Sequence, residues 1–108
     1  MSDAFSDREK GFEAKYKQDQ DFDFKVEARR NKLLGLWLAE KFGKPESECE
    51  AYAKEVVIAD MDEPGIEDVM RKVMADIAAH NAAVTEAEVR AKISELGSVA
   101  RQQLMDEV

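Results

Sequence analysis

Ile66, Val69, Met70, Val73 and Ile77 fall at offsets 0, 3, 4, 7 and 11, which puts all five on one face of an α-helix. Only two Pro and five Gly interrupt 108 residues, and 44% are apolar. That is enough for one small core built from helices. A second helix is predicted from about 21 to 42, closed by Gly43 and Pro45. A third follows, with Glu46, Glu48 and Glu50 in its first turn, where the helix dipole favours acids. Its inner face carries Cys49, Tyr52, Ala53, Val56 and Val57. The segment "DEPG", 62–65, reads as a type II turn. Asn81 can close the Ile66–Ile77 helix. Thr85 and Glu88 have capping-box spacing, with Val84 and Val89 as the staple. The last helix would bury Val89, Ile93, Leu96, Ala100 and Leu104, with Gly97 permitting close approach. Short links between four helices imply antiparallel neighbours.

The front of the chain behaves differently. Phe5, Phe12 and Tyr16 lie in a stripe roughly 40° wide at about 100° per residue. A core-facing helix shows an arc of at least about 100°. Pairs such as Glu13–Lys17 and Asp7–Lys10 add only a few tenths of a kcal/mol each, so an isolated helix here is marginal. After "QDQD", 18–21, the apolar face moves to Phe22, Val26, Leu33, Leu36 and Trp37, turned by roughly 80–90° if the helix continues. A break, bend or fraying point is expected at 18–21. The fold class is therefore all-α: an antiparallel four-helix bundle, 19–108, with a separable helical arm, 1–18. The thin stripe either folds back on the bundle or is kept for a partner, and the residues alone leave both open.

Charge separates the same two regions. Residues 1–32 hold eight acidic and eight basic groups, and the remainder carries the whole net charge of −8. That body repels nucleic acid and anionic lipid, so no nucleic-acid partner is expected. No apolar run approaches the ~20 residues needed to span a bilayer, which argues against direct membrane insertion. "MSDAFSDREK" lacks the order of a secretory signal, and the single Cys49 cannot form an internal disulfide. A cytoplasmic address is expected.

Catalytic and metal chemistry find little support. "DMDEPGIEDVMR" puts Asp60, Asp62 and Gly65 at positions 1, 3 and 6 of a calcium loop, but Pro64 occupies position 5 and Arg71 stands where a bidentate Glu is required. His80, the only histidine, suits a partly buried place near a helix C-terminus. Cys49 has Glu48 and Glu50 beside it, which disfavours a reactive thiolate. No glycine-rich phosphate loop occurs, no cofactor is implied, and no nucleophile–base pair marks an enzyme. "EARRNK" makes a local positive patch of Arg29, Arg30 and Lys32. Its ordinary reading is a solvated helix face. The other is docking of an acidic partner or a phosphate, with Arg29, Arg30 and Trp37 as a site for weak binding of an adenine nucleotide in a free-standing helical adaptor.

"FSDREKGFEAKYKQD", "FKVEARRNKLLGLWLAEKFG" and "GIEDVMRKV" resemble the alphaproteobacterial F-type ATP synthase inhibitor, the subunit zeta family, and the resemblance extends over essentially the whole chain. It implies a four-helix bundle carrying an inhibitory N-terminal arm. The implied partner is the synthase catalytic head, with the arm entering an interface between alpha and beta subunits and reaching toward the central shaft. Rotation in the hydrolytic direction is blocked, and synthesis is hindered less. The protein would then be cytoplasmic and peripheral to the inner membrane through the synthase. The arm corresponds to roughly Ser2–Lys17, with Phe5, Arg8, Glu9, Lys10, Phe12, Glu13, Lys15 and Tyr16 matching. Phe12 and Tyr16 are the expected anchors, and Arg8, Lys10 and Lys15 would meet acids or carbonyls. A segment with so little to gain from its own bundle suits coupled folding and binding.

Overall fold

A computed structural model describes the backbone of residues 2–60 and 65–107, and the side chains of 21–60 and 65–107. Four helices make up this part of the chain: α1 (Ser2–Lys41), α2 (Glu46–Ala59), α3 (Glu67–Ala79) and α4 (Glu86–Glu107). The all-α expectation holds, and so do the four body helices.

Each boundary has a local cause. Gly43 takes a left-handed φ of 74° after α1, and the Lys44 N–H returns to the Ala39 carbonyl at 3.0 Å, the closure a glycine allows. Pro45 then caps α2 in an extended conformation. Asn81 ends α3 with a φ of 52°, and the Ala82 N–H reaches the Ile77 carbonyl at 3.0 Å. Thr85 Oγ1 accepts from the Glu88 N–H at 3.2 Å. The Glu88 carboxylate accepts from the Thr85 hydroxyl, not from its N–H, so only half of the expected capping box forms. Val84 and Val89 both join the core, as the staple requires. Of the expected 62–65 turn only Gly65 is among the described residues, with φ 100°.

The core is one cluster drawn from all four helices, including Leu34, Leu38, Val56, Val69, Val73 and Val89. The α3 stripe behaves as its spacing predicts: Val69, Met70, Val73 and Ile77 are buried, and Ile66 packs partly against them. Leu96 and Leu104 of α4 are only half-buried.

Two expectations about α1 need correction. The helix is continuous across 18–21. Asp and Gln there cost at most ~0.7 kcal/mol each in helix propensity, and a change of apolar face needs only a change of partner. The second concerns which side is buried. Val26 is buried as expected, but Phe22, Leu33, Leu36 and Trp37 are half-exposed, whereas Asn31, Leu34, Gly35, Leu38 and Ala39 are buried. That buried set lies on roughly the opposite side of the helix at about 100° per residue. The reason is that α1 is flanked on two sides. Its Leu34–Ala39 side meets α2, where Gly35 approaches the Ala53 backbone. Its Phe22–Trp37 side meets α4, with Arg101 over the Phe22 ring at 5.6 Å and Lys92 over Trp37 at 5.4 Å. Those pairs also show that α1 and α4 run in opposite senses, as do α1 and α2.

Candidate partner-binding surface

The eight arm residues, Phe5, Arg8, Glu9, Lys10, Phe12, Glu13, Lys15 and Tyr16, lie outside the described side chains; their backbone belongs to α1. The structure does place the basic run behind them, and it separates the members of that run. Arg29 reaches across to the end of α4, where its guanidinium pairs with Glu107. Arg30 turns toward α2. Its Nε and Nη2 donate to the side-chain oxygen Oδ1 of Asn31 at 3.2 and 3.1 Å, and Nη2 stands 4.0 Å from the Asp60 carboxylate. Trp37 lies about two turns further on, with the ammonium groups of Lys41 and Lys92 at 5.7 and 5.4 Å from its ring. Arg29, Arg30 and Trp37 are thus engaged separately, and both guanidiniums already face an internal carboxylate.

The Arg30 site was not visible in sequence. Asn31 is 1% exposed, and its Nδ2 has no hydrogen-bond partner among the described residues. The amide still lies close enough to Asp60 to favour the carboxylate, through a contact looser than a hydrogen bond. Burial outweighs that contact and the Arg30 charge, with Asp68 adding a smaller effect, and Asp60 is raised above the usual carboxylate range. It also caps the C-terminus of α2, where negative charge is disfavoured.

A second polar group holds α2 to α3. The Tyr52 hydroxyl donates to Asp76 at 2.8 Å, and Lys72 meets the same carboxylate oxygen at 3.1 Å. Burial first, then the bond to Asp76, pushes the phenol far above its ordinary range. Tyr52 also packs edge-on against Phe42, which stacks on His80 at 4.3 Å. His80 caps α3 as its position suggests, but it is exposed, not partly buried. Its Nδ1 donates to the Asp76 carbonyl at 2.9 Å, so the ring serves as a staple between the ends of α1 and α3. Cys49 is half-buried and its thiol points to the Lys44 carbonyl at 3.6 Å. Among the described residues no group of three His, Cys, Asp or Glu side chains could hold a metal ion, and no helix is long and apolar enough to cross a membrane.

Comparison with known proteins gives these features a setting. A search of curated proteins finds no match. A structure solved by solution NMR shares 59% sequence identity over 79% of this chain and 96% of its own length, with a TM-score of 0.70. The family model described as ATPase inhibitor subunit zeta matches residues 1–103. With that match spanning nearly every residue, the chain belongs to the ATPase inhibitor subunit zeta family, whose members regulate ATP synthase by inhibition and are not enzymes.

Proposed function

We propose that the front of α1 is the inhibitory element. It enters an interface between alpha and beta subunits of the synthase head and stops hydrolytic rotation, and the bundle stays outside. The observation that carries this reading is a mismatch of lengths. α1 has 40 residues and its longest neighbour, α4, has 22. At about 1.5 Å per residue the excess is roughly 27 Å, more helix than the bundle can flank. Among the described side chains, Arg101 of α4 meets Phe22 and Asp23 and Lys92 meets Trp37, an antiparallel pairing that turns the excess toward the front of α1. Phe5, Phe12 and Tyr16 fall in that excess. Burying a Phe or Tyr ring contributes roughly 1.5–3 kcal/mol, and fixing each residue's backbone costs about 1–2 kcal/mol. Ordering the arm in a cleft therefore needs broad contact, from Arg8, Glu9, Lys10, Glu13 and Lys15 as well as from the rings.

The test compares the full chain with one beginning at Gln18, each added to a matching synthase head during ATP hydrolysis. The full chain should inhibit. The shortened chain should keep its helical circular dichroism and lose inhibition. Equal inhibition by the two would sink the arm reading. An adenine-nucleotide site at Arg29, Arg30 and Trp37 is the weaker alternative, because a phosphate there would have to compete with Glu107 and Asp60 for the guanidiniums.

A further inference from the structure

Two shallow depressions adjoin on one side of the bundle. One, of about 450 Å³, is lined by α1 and α2. The other, of about 530 Å³, is lined by α1, α2 and the end of α4. They share Lys32 and Val57, so they form one continuous groove. Its floor is apolar, with Ala28, Ala53, Val57 and Leu104, and Phe24 stands at its edge 61% exposed.

The charge at the rim is the informative part. Lys25, Arg29, Lys32 and Lys54 face Glu50 and Glu107, an excess of cations in a chain whose net charge is −8. Glu107 is taken up by Arg29. Among the described residues, Lys25, Lys32 and Lys54 have no carboxylate in ion-pair range; of the other exposed cations, Arg71, Arg90 and Arg101 each have one and Lys41 lies over the Trp37 ring. An apolar floor between uncompensated lysines is complementary to an amphipathic segment with acids along its flanks. The dimensions suit a helix: one turn with its side chains occupies roughly 420–600 Å³ for a diameter of 10–12 Å. The two depressions together would take two full turns, or three to four turns half-sunk.

We infer that the Phe24–Lys32–Val57 groove is a second docking site, which receives an acidic amphipathic helix on the outer surface of the synthase head. This rests on the proposed inhibitory role and adds to it an anchor for the bundle. The arm stops the rotor, and the groove sets how long the inhibitor stays. Nucleic acid is a poor occupant because the body around the groove repels it.

The experiment uses the full chain in two forms. In the first, Lys25→Glu, Lys32→Glu and Lys54→Glu are combined. All three residues are exposed, so the melting temperature serves as the check on folding. Half-maximal inhibition of the synthase head should need about tenfold more of this variant, while inhibition at saturation is unchanged. Added salt should weaken the parent and have little effect on the variant. In the second form, a benzophenone-bearing phenylalanine analogue replaces Phe24, and irradiation in the presence of the head should cross-link it to an acidic helix of a head subunit. An unchanged half-maximal concentration overturns the inference. So does a cross-link to a second copy of this chain, or one abolished by ATP alone. Loss of maximal inhibition would count against the arm's independence, whereas the cross-link reports on the groove whether or not the arm inhibits.

Discussion

Gly35→Ala and Gly97→Ala make the same chemical change within helices and should shift stability in opposite directions. A β-carbon at Gly35 would sit 2.5 Å from the Ala53 α-carbon and 3.2 Å from both Ala53 Cβ and Val56 Cγ2. Carbon atoms rest about 3.5–4.0 Å apart, so the overlap with α2 is about 1 Å or more. The obstacle is main chain, so it cannot rotate aside, and relief requires α1 and α2 to part. That opens the contact around Leu34, Leu38 and Val56, all fully buried. Overpacking costs about 1–3 kcal/mol, with a clash against backbone at the upper end. Helix propensity returns about 0.8–1 kcal/mol for Gly to Ala. The net expectation is a loss of about 2 kcal/mol, which lowers the melting temperature by roughly 8–16 °C in a domain of this size. At Gly97 the nearest atom to an added β-carbon is Arg30 Cδ at 3.7 Å, an ordinary contact with a flexible side chain. Propensity acts unopposed there, and Gly97→Ala should stabilise by about 0.8–1 kcal/mol. Urea unfolding followed by far-ultraviolet circular dichroism and Trp37 fluorescence measures both. A Gly35→Ala variant as stable as its parent would refute the account of α1–α2 packing.

Two further substitutions probe the buried polar groups. Tyr52→Phe removes a 2.8 Å bond to Asp76, and hydrogen bonds to charged groups are worth about 1.5–3 kcal/mol; because Lys72 remains on that carboxylate, the unfolding free energy from urea titration should fall by about the lower figure. Asp60→Asn should raise stability near neutral pH, because the raised native pKa means that ionising this carboxylate disfavours the folded state. That penalty is absent below the unfolded-state pKa of about 3.9 and grows as pH rises through the native value. Melting curves of parent and variant should therefore converge in acid and separate toward neutrality; the opposite trend would show that Arg30 outweighs burial.

Where one helix face met one core, the sequence was readable. The α3 stripe, the Gly43–Pro45 link, the Asn81 stop and the Val84–Val89 staple all follow from spacing and local geometry. α1 was harder because it is covered on two sides. Its residues at Phe22, Leu33, Leu36 and Trp37 and those at Leu34 and Leu38 make one wide apolar arc. A search for a single stripe selects the half shielded by charged side chains of α4 and passes over the half against α2. Gly35 carried the missing signal: a glycine inside a helix costs about 1 kcal/mol unless something must approach closely. The groove was less legible. Lys32 stood out only as part of a basic run, and nothing local reveals that Arg29 and Arg30 are drawn away by Glu107 and Asp60, at far-removed positions, leaving Lys32 beside Val57.

The unbroken course of α1 from Ser2 to Lys41 makes residue count a form of information. On such a rod every inserted or deleted residue between clamp and tip turns the tip by about 100° and slides it by about 1.5 Å. Around 18–21 the identity of a side chain is then a lesser matter than the number of residues. On the proposed reading the stretch works as a screw thread, setting the azimuth of the tip once the bundle is fixed.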